Sequence, residues 1–405
     1  MSNANRVKLA FVEEETFGVT RTNANLQILR YNSESLKHDI DTTISEELRS
    51  DRQISDIVRT GVSASGDISF ELSYGSHDEL LKAALLASSW EAEKRVRVAT
   101  TVSASATDNS INDSASGFSG FSAHKWIYVS GFLNSANNGF FKILTATTAK
   151  LVLATGTLIT EAAHEAVTVQ MGAQITNGST LNSYNIEKTY EDLTEVIALF
   201  QGMCINTLSL EVPADGIITG SIGFVGSKET PLTESAGLGY IDETTSVVMT
   251  GANHVPEIFE NLEDIAILSL SLSLGNNLRQ RMQVGTLGVT SIGIGSVDVT
   301  GSVTINLANA TLYNKYLNQT VTSIAMAFRD TVGNGYVLEL PSVKITSGTR
   351  QAGGINTDVV GEFELRAYMD STEGITIRIA KFPVADTFVS SVVGLAAVAG
   401  AMTVV

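Results

Sequence analysis

Apolar and polar positions alternate along this chain in one recurring form, a glycine followed by a strand whose apolar residues fall at every second position. It occurs at Gly66, with Ile68, Phe70 and Leu72, and 235 positions on at Gly301, with Val303, Ile305 and Leu307. A second pair starts at Gly220 (Ile222, Phe224) and Gly361 (Phe363, Leu365). A period of two marks a strand with one buried and one wet face. Ahead of Gly66 and Gly301 come alternating stretches, 30–36 and 267–274, and then charged loops, 46–53 and 277–283. Helical spacing follows each. Ser76 and Glu79 form a capping-box pattern before Leu80, Leu81, Ala84 and Leu85, and Asn309 precedes Leu312, Tyr316 and Leu317. The order strand, loop, strand, helix, strands therefore appears twice. It predicts a mainly β protein of two tandem sandwich or barrel domains, each with a short helix, and such duplication points to a symmetric assembly more than to a single-pocket enzyme.

The copies differ in length. From Gly66 to Gly220 is 154 positions, but from Gly301 to Gly361 only 60. The excess lies in residues 96–175, rich in Ser, Ala, Thr and Asn, with short apolar runs at 126–129, 139–143, 150–153 and 166–169. It reads as an inserted small β-barrel or sandwich on the exterior. The expected division is 1–95 and 176–242 for the first repeated domain, 96–175 for the insert and 243–385 for the second domain, each with its own core. An apolar tail follows at 386–405.

Composition narrows the class. With 43% hydrophobic residues, 34 Gly and 5 Pro in 405 positions, this is a folded, strand-rich chain. Its one cysteine, Cys204, reads as a small core residue and excludes an internal disulfide framework. The start is polar and lacks a secretion signal, so folding in a cytoplasm is expected. The stretch from Val384 is about long enough to span a bilayer, but Asp386, Thr387, Ser390 and Ser391 interrupt it, and no membrane insertion is expected. The net charge of −17, without a basic patch, argues against conventional nucleic-acid binding. His38, His77, His124, His164 and His254 are scattered away from metal-ligand spacing, and no nucleophile elbow or phosphate loop is present. No catalytic, cofactor or metal residues are assigned.

The wording of the first half carries a resemblance. The run Phe11-Val-Glu-Glu to Thr16-Phe-Gly-Val-Thr20, then Arg30-Tyr, Glu34-Ser-Leu36, residues 45–56 and Gly66 to Tyr74 resemble the opening of the major tail tube proteins of long-tailed, siphovirus-type bacteriophages. Residues 200–212 and 216–224 are similar to that family's closing strands. The resemblance implies a virion structural protein whose rings stack into a hollow conduit for viral DNA, with no cofactor and no catalysis. It implies itself, the tape measure, the tail terminator and the distal tail proteins as partners, passage of double-stranded DNA without specific binding, and location in the virion tail after synthesis in the host cytoplasm.

On that reading the strands close into a barrel with a polar, acidic lumen. The charged loops reach toward the next ring through Glu46, Glu47, Arg49, Asp51, Arg52, Arg279 and Arg281. Two units per chain imply three chains per ring with approximate six-fold symmetry. Two alternatives remain at this level. One is an adhesin whose insert binds a glycan through Trp126, Tyr128 and Phe132; the other is a glycoside hydrolase built on two carboxylates.

Overall fold

Eight of the alternating runs join into one antiparallel sheet. They are β1 (Lys37–Ile44), β2 (Ile57–Glu71), β3 (Ile197–Pro213), β4 (Thr219–Gly226), β5 (Ser269–Gly275), β6 (Asp298–Asn306), β7 (Gly335–Ala352) and β8 (Val359–Ala367). The computed structural model describes residues 3–384 except 99, 164–165, 195, 308 and 353; His164 and the apolar tail from 386 lie outside the described residues. The spatial order is β1-β2-β4-β3-β5-β6-β8-β7. Each half contributes four strands in the same order, and β3 of the first half pairs along its C-terminal part with β5 of the second.

The ladders of the two halves match residue for residue. Phe224 faces Gly66 and Gly220 faces Phe70, while Leu365 faces Gly301 and Gly361 faces Ile305. A bulge interrupts β3 between Ile205 and Thr207, and another interrupts β7 between Ile345 and Ser347. Such bulges bend a strand. The first parts of β3 and β7 accordingly belong to a second layer, with strands Val7–Glu13 and Tyr184–Tyr190 in the first half and Glu257–Glu260, Thr322–Arg329 and Arg378–Phe382 in the second. The glycines have a steric reason. A Cβ on Gly66 would sit 2.5 Å from Ser35 O, and one on Gly301 would sit 2.5 Å from Ser271 O, because each lies hard against the backbone of the adjoining strand.

Between the layers, apolar side chains of both halves, from Leu9 and Ile68 through Leu210 and Leu272 to Phe363 and Ile379, form one continuous core rather than the two separate ones expected. Helix α1 (Asp78–Ala84) and helix α2 (Thr311–Asn318) lie at matching places. The expected capping box does not form. Helix α1 begins after His77, and the Ser76 hydroxyl bonds those of Ser73 and Thr244 instead.

The insert folds into a seven-stranded sheet between Lys94 and Met171 around its own core of Ile127, Phe141 and Val169. It is also bound to the second half. Trp126 packs on Phe259, Phe140 packs on Phe382, and these rings cover Ala325 and Ala327, which alternate with the core residues Ile324, Met326 and Phe328. Ala173–Thr176, at the end of the expected insert, pairs with Arg378–Phe382 of the second layer. The insert therefore covers the side of the second layer that faces away from the shared sheet.

Candidate functional site

The exposed face of the shared sheet is built from small hydroxyl residues interspersed with charged ones. On β2 the core takes Ala64, Ile68 and Phe70, which leaves Ser63, Ser65, Asp67, Ser69 and Glu71 on the other side. Register carries this alternation from strand to strand. One row crosses six strands as Ser69, Ser221, Ser209, Ser273, Thr300 and Arg366; the next runs Glu71, Thr219, Glu211, Ser271, Ser302, Glu364 and Ser347. Short side chains keep the face low. Within it Ser271 and Ser302 share a hydrogen bond of 3.1 Å.

Acids outnumber bases on this face: Asp39, Asp67, Glu71, Glu211, Asp298, Glu362 and Glu364 against Lys37, Lys344 and Arg366. Two of the bases are bound to acids. Lys37 Nζ donates to Asp39 at 2.9 Å, which holds that carboxyl below its usual range, and Arg366 donates twice to Asp298 at 2.9 Å. Partial burial raises the Glu211 carboxyl. The repetition Ser-Leu-Ser-Leu-Ser-Leu at 269–274 was the sequence signal for this surface.

Both sheet edges are open among the described residues. β1 pairs only with β2, and β7 beyond Val343 pairs only with β8. Unpaired N–H and C=O groups along such an edge are a template for another strand. The two edges are of the same kinds as β5 and β3, which are joined inside the chain.

The charged loops project from one end of the strands as hairpins. Glu46, Glu47, Arg49, Asp51 and Arg52 are exposed, with Arg49 bonded to Asp51 at 2.7 and 3.0 Å. In the second hairpin, Arg279 and Arg281 are exposed; Arg279 donates to Ile294 O at 3.2 Å and Arg281 lies against Gly293. These hairpins correspond too: Ile44 faces Ile57 as Gln280 faces Ile292. Their surroundings differ. The second leans across the first half, where Gln280 donates to Gly226 O at 3.0 Å and Val289 and Ile292 are buried with Cys204 and next to Phe17. The equivalent Ile54 and Ile57 are 63% and 62% exposed.

The aromatic residues read as a glycan platform are not one. Trp126 and Phe132 are buried in cores, and Tyr128 is half-buried beneath the Arg329 guanidinium. His77 is buried against Arg30 O and His38 accepts from the Glu229 amide, so these serve the fold. Among the described residues no helix is long and apolar enough to cross a membrane. No curated protein matches the chain. The model of the phage tail tube protein family matches residues 4–367. That match takes in both halves of the shared sheet and nearly the whole chain, and the chain belongs to the phage tail tube protein family.

Proposed function

We propose that three copies of this chain form a ring and that the rings stack into the hollow tail tube of a siphovirus, conducting double-stranded DNA from capsid to host cell. The observation that carries the reading is the β3–β5 ladder. It joins the first half to the second, and the chain keeps one free edge of each type, so joining β7 of one chain to β1 of the next repeats the internal junction. Repetition around an axis gives a heterologous interface that closes. Six half-sheets from three chains then surround the channel with approximate six-fold symmetry, and no edge remains.

The internal junction supplies the register. Thr207 faces Gly275, Ser209 faces Ser273 and Glu211 faces Ser271. Carried through the matched ladders, Ser347 would face Asp39, Thr349 would face Lys37 and Gln351 would face Ser35 of the next chain. The exposed Ile54 and Ile57 then gain the lateral cover that Val289 and Ile292 have within one chain. In the second half the positions of Cys204 and Val225 are taken by Lys344 and Arg366, whose aliphatic stems offer that cover.

The polar face lines the channel on this reading, and the insert stands outside, with the core and second layer between them. DNA carries one negative charge per about 1.7 Å of axis, so an acidic wall of short side chains repels it and lets it slide without specific binding. The hairpins stack one ring on the next; the tape measure, terminator and distal tail proteins meet the tube interior and ends. A Lys37→Cys and Thr349→Cys double variant tests the junction, since facing Cα atoms of antiparallel strands are within disulfide range, about 4.5–5.5 Å apart. Oxidised tubes are expected to yield covalent dimers and trimers on a denaturing gel, and each single variant none. Tubes that give no cross-link, or a ladder running to six, contradict the assignment.

A further inference from the structure

Each half carries a tip at one end of its strands and a recess at the other. The hairpin tips present Leu48, 103% exposed, and Val284, 102% exposed, at corresponding positions. At the far end of β2 a recess of 560 Å³ is closed by Glu71 and residues 28–32; at the far end of β6 a recess of 420 Å³ is closed by Asn306 and residues 265–268.

Charge distinguishes the two halves. Residues 276–297 contain Arg279 and Arg281 and no acid, so the second tip is basic. The second recess has an apolar floor that includes Ile267 and Leu312 and an acidic rim with the exposed Glu263 and Asp264. The first tip mixes both signs, and the first recess sets Lys8 and Arg30 against Glu71, Glu191 and Glu243.

We infer that, in the stacked tube, the 279–293 hairpin seats in the recess of the second half of a chain in the next ring, Val284 on the apolar floor and Arg279 and Arg281 toward Glu263 and Asp264. The occupant is a second copy of this chain, and the inference rests on the tube reading. Opposite signs on tip and rim select second half over second half and so set the rotational register between rings.

The experiment uses the full chain under conditions where the unaltered protein forms tubes, with length read by electron microscopy and assembly by sedimentation. Val284→Asp, the pair Arg279→Glu with Arg281→Glu, and the pair Glu263→Lys with Asp264→Lys are each expected to shorten tubes at least tenfold while subunit melting stays put. Combining both charge reversals in one chain restores length. Tubes of normal length in Val284→Asp, or no restoration by the combined reversal, overturn the inference while leaving the tube reading intact. An unaltered protein that forms neither rings nor tubes refutes the underlying reading, and this inference with it.

Discussion

Gly66 and Gly301 are the residues on which the matched halves turn. A side chain at either position collides with a backbone carbonyl 2.5 Å away, and Gly66 also has a φ of 141°. Gly66→Val and Gly301→Val are each expected to lower unfolding free energy by about 1–3 kcal/mol, with Gly66 the more sensitive, as measured by thermal melts. Equal stability to the parent would remove the close-approach explanation. Glu257 matters for a different reason. It accepts from the Phe140 amide at 3.2 Å where the insert meets the second half, and burial pushes its carboxyl up to about 7. Its folded value lies above the unfolded one, so its contribution is fully present below about pH 4.5 and is lost as pH rises through about 7. Glu257→Gln is therefore expected to raise stability by about 1–3 kcal/mol at pH 8 and by nearly nothing at pH 4. A gain of the same size at both pH values would contradict the assignment.

At the scale of elements, the insert is held by charge as well as by aromatic packing. Lys142 Nζ reaches Glu339 at 2.5 Å and Glu373 at 2.6 Å, and Arg378 reaches the same two carboxylates at 2.6 and 2.5 Å, all four side chains buried. Arg378→Met would leave two buried carboxylates with one cation, at a cost of about 3–5 kcal/mol in a urea or thermal unfolding series. A loss below about 1 kcal/mol would mean that the cluster is solvated in solution. The sequence pointed to an insert at about 96–175, because the two glycine spacings differ so much. It did not make its docking legible. Trp126 and Phe140 sit in short apolar runs that look alike whether a ring enters its own core or a neighbour's, and only the alternation of Ala325 and Ala327 with Ile324 and Met326 tells which side is covered. The capping box failed for a related reason: the hydroxyls of Ser73 and Thr244, the latter distant in sequence, engage Ser76 in place of the helix amides.

For the whole molecule, the alternation itself encoded the most. The strands read from the glycines at 66, 220, 301 and 361 become parts of β2, β4, β6 and β8, but only Gly220 and Gly361 lie near strand starts; Gly66 and Gly301 sit inside strands that begin at Ile57 and Asp298, because pairing with the preceding strand extends the ladder beyond the apolar alternation. Ser-Leu repetition becomes a sheet with a polar and an apolar face. Pattern alone says nothing about which strand meets which across the halves, because any alternating strand can pair with any other. The β3–β5 junction, and the two edges left open, came from the fold. The central claim rests on that junction being repeated between chains. A cryo-EM reconstruction of assembled tubes tests it most directly. Three chains per ring, with β7 of each paired to β1 of the next so that Thr349 faces Lys37, is the predicted result. Six chains per ring, or a lumen lined by only one of the two halves, would contradict it.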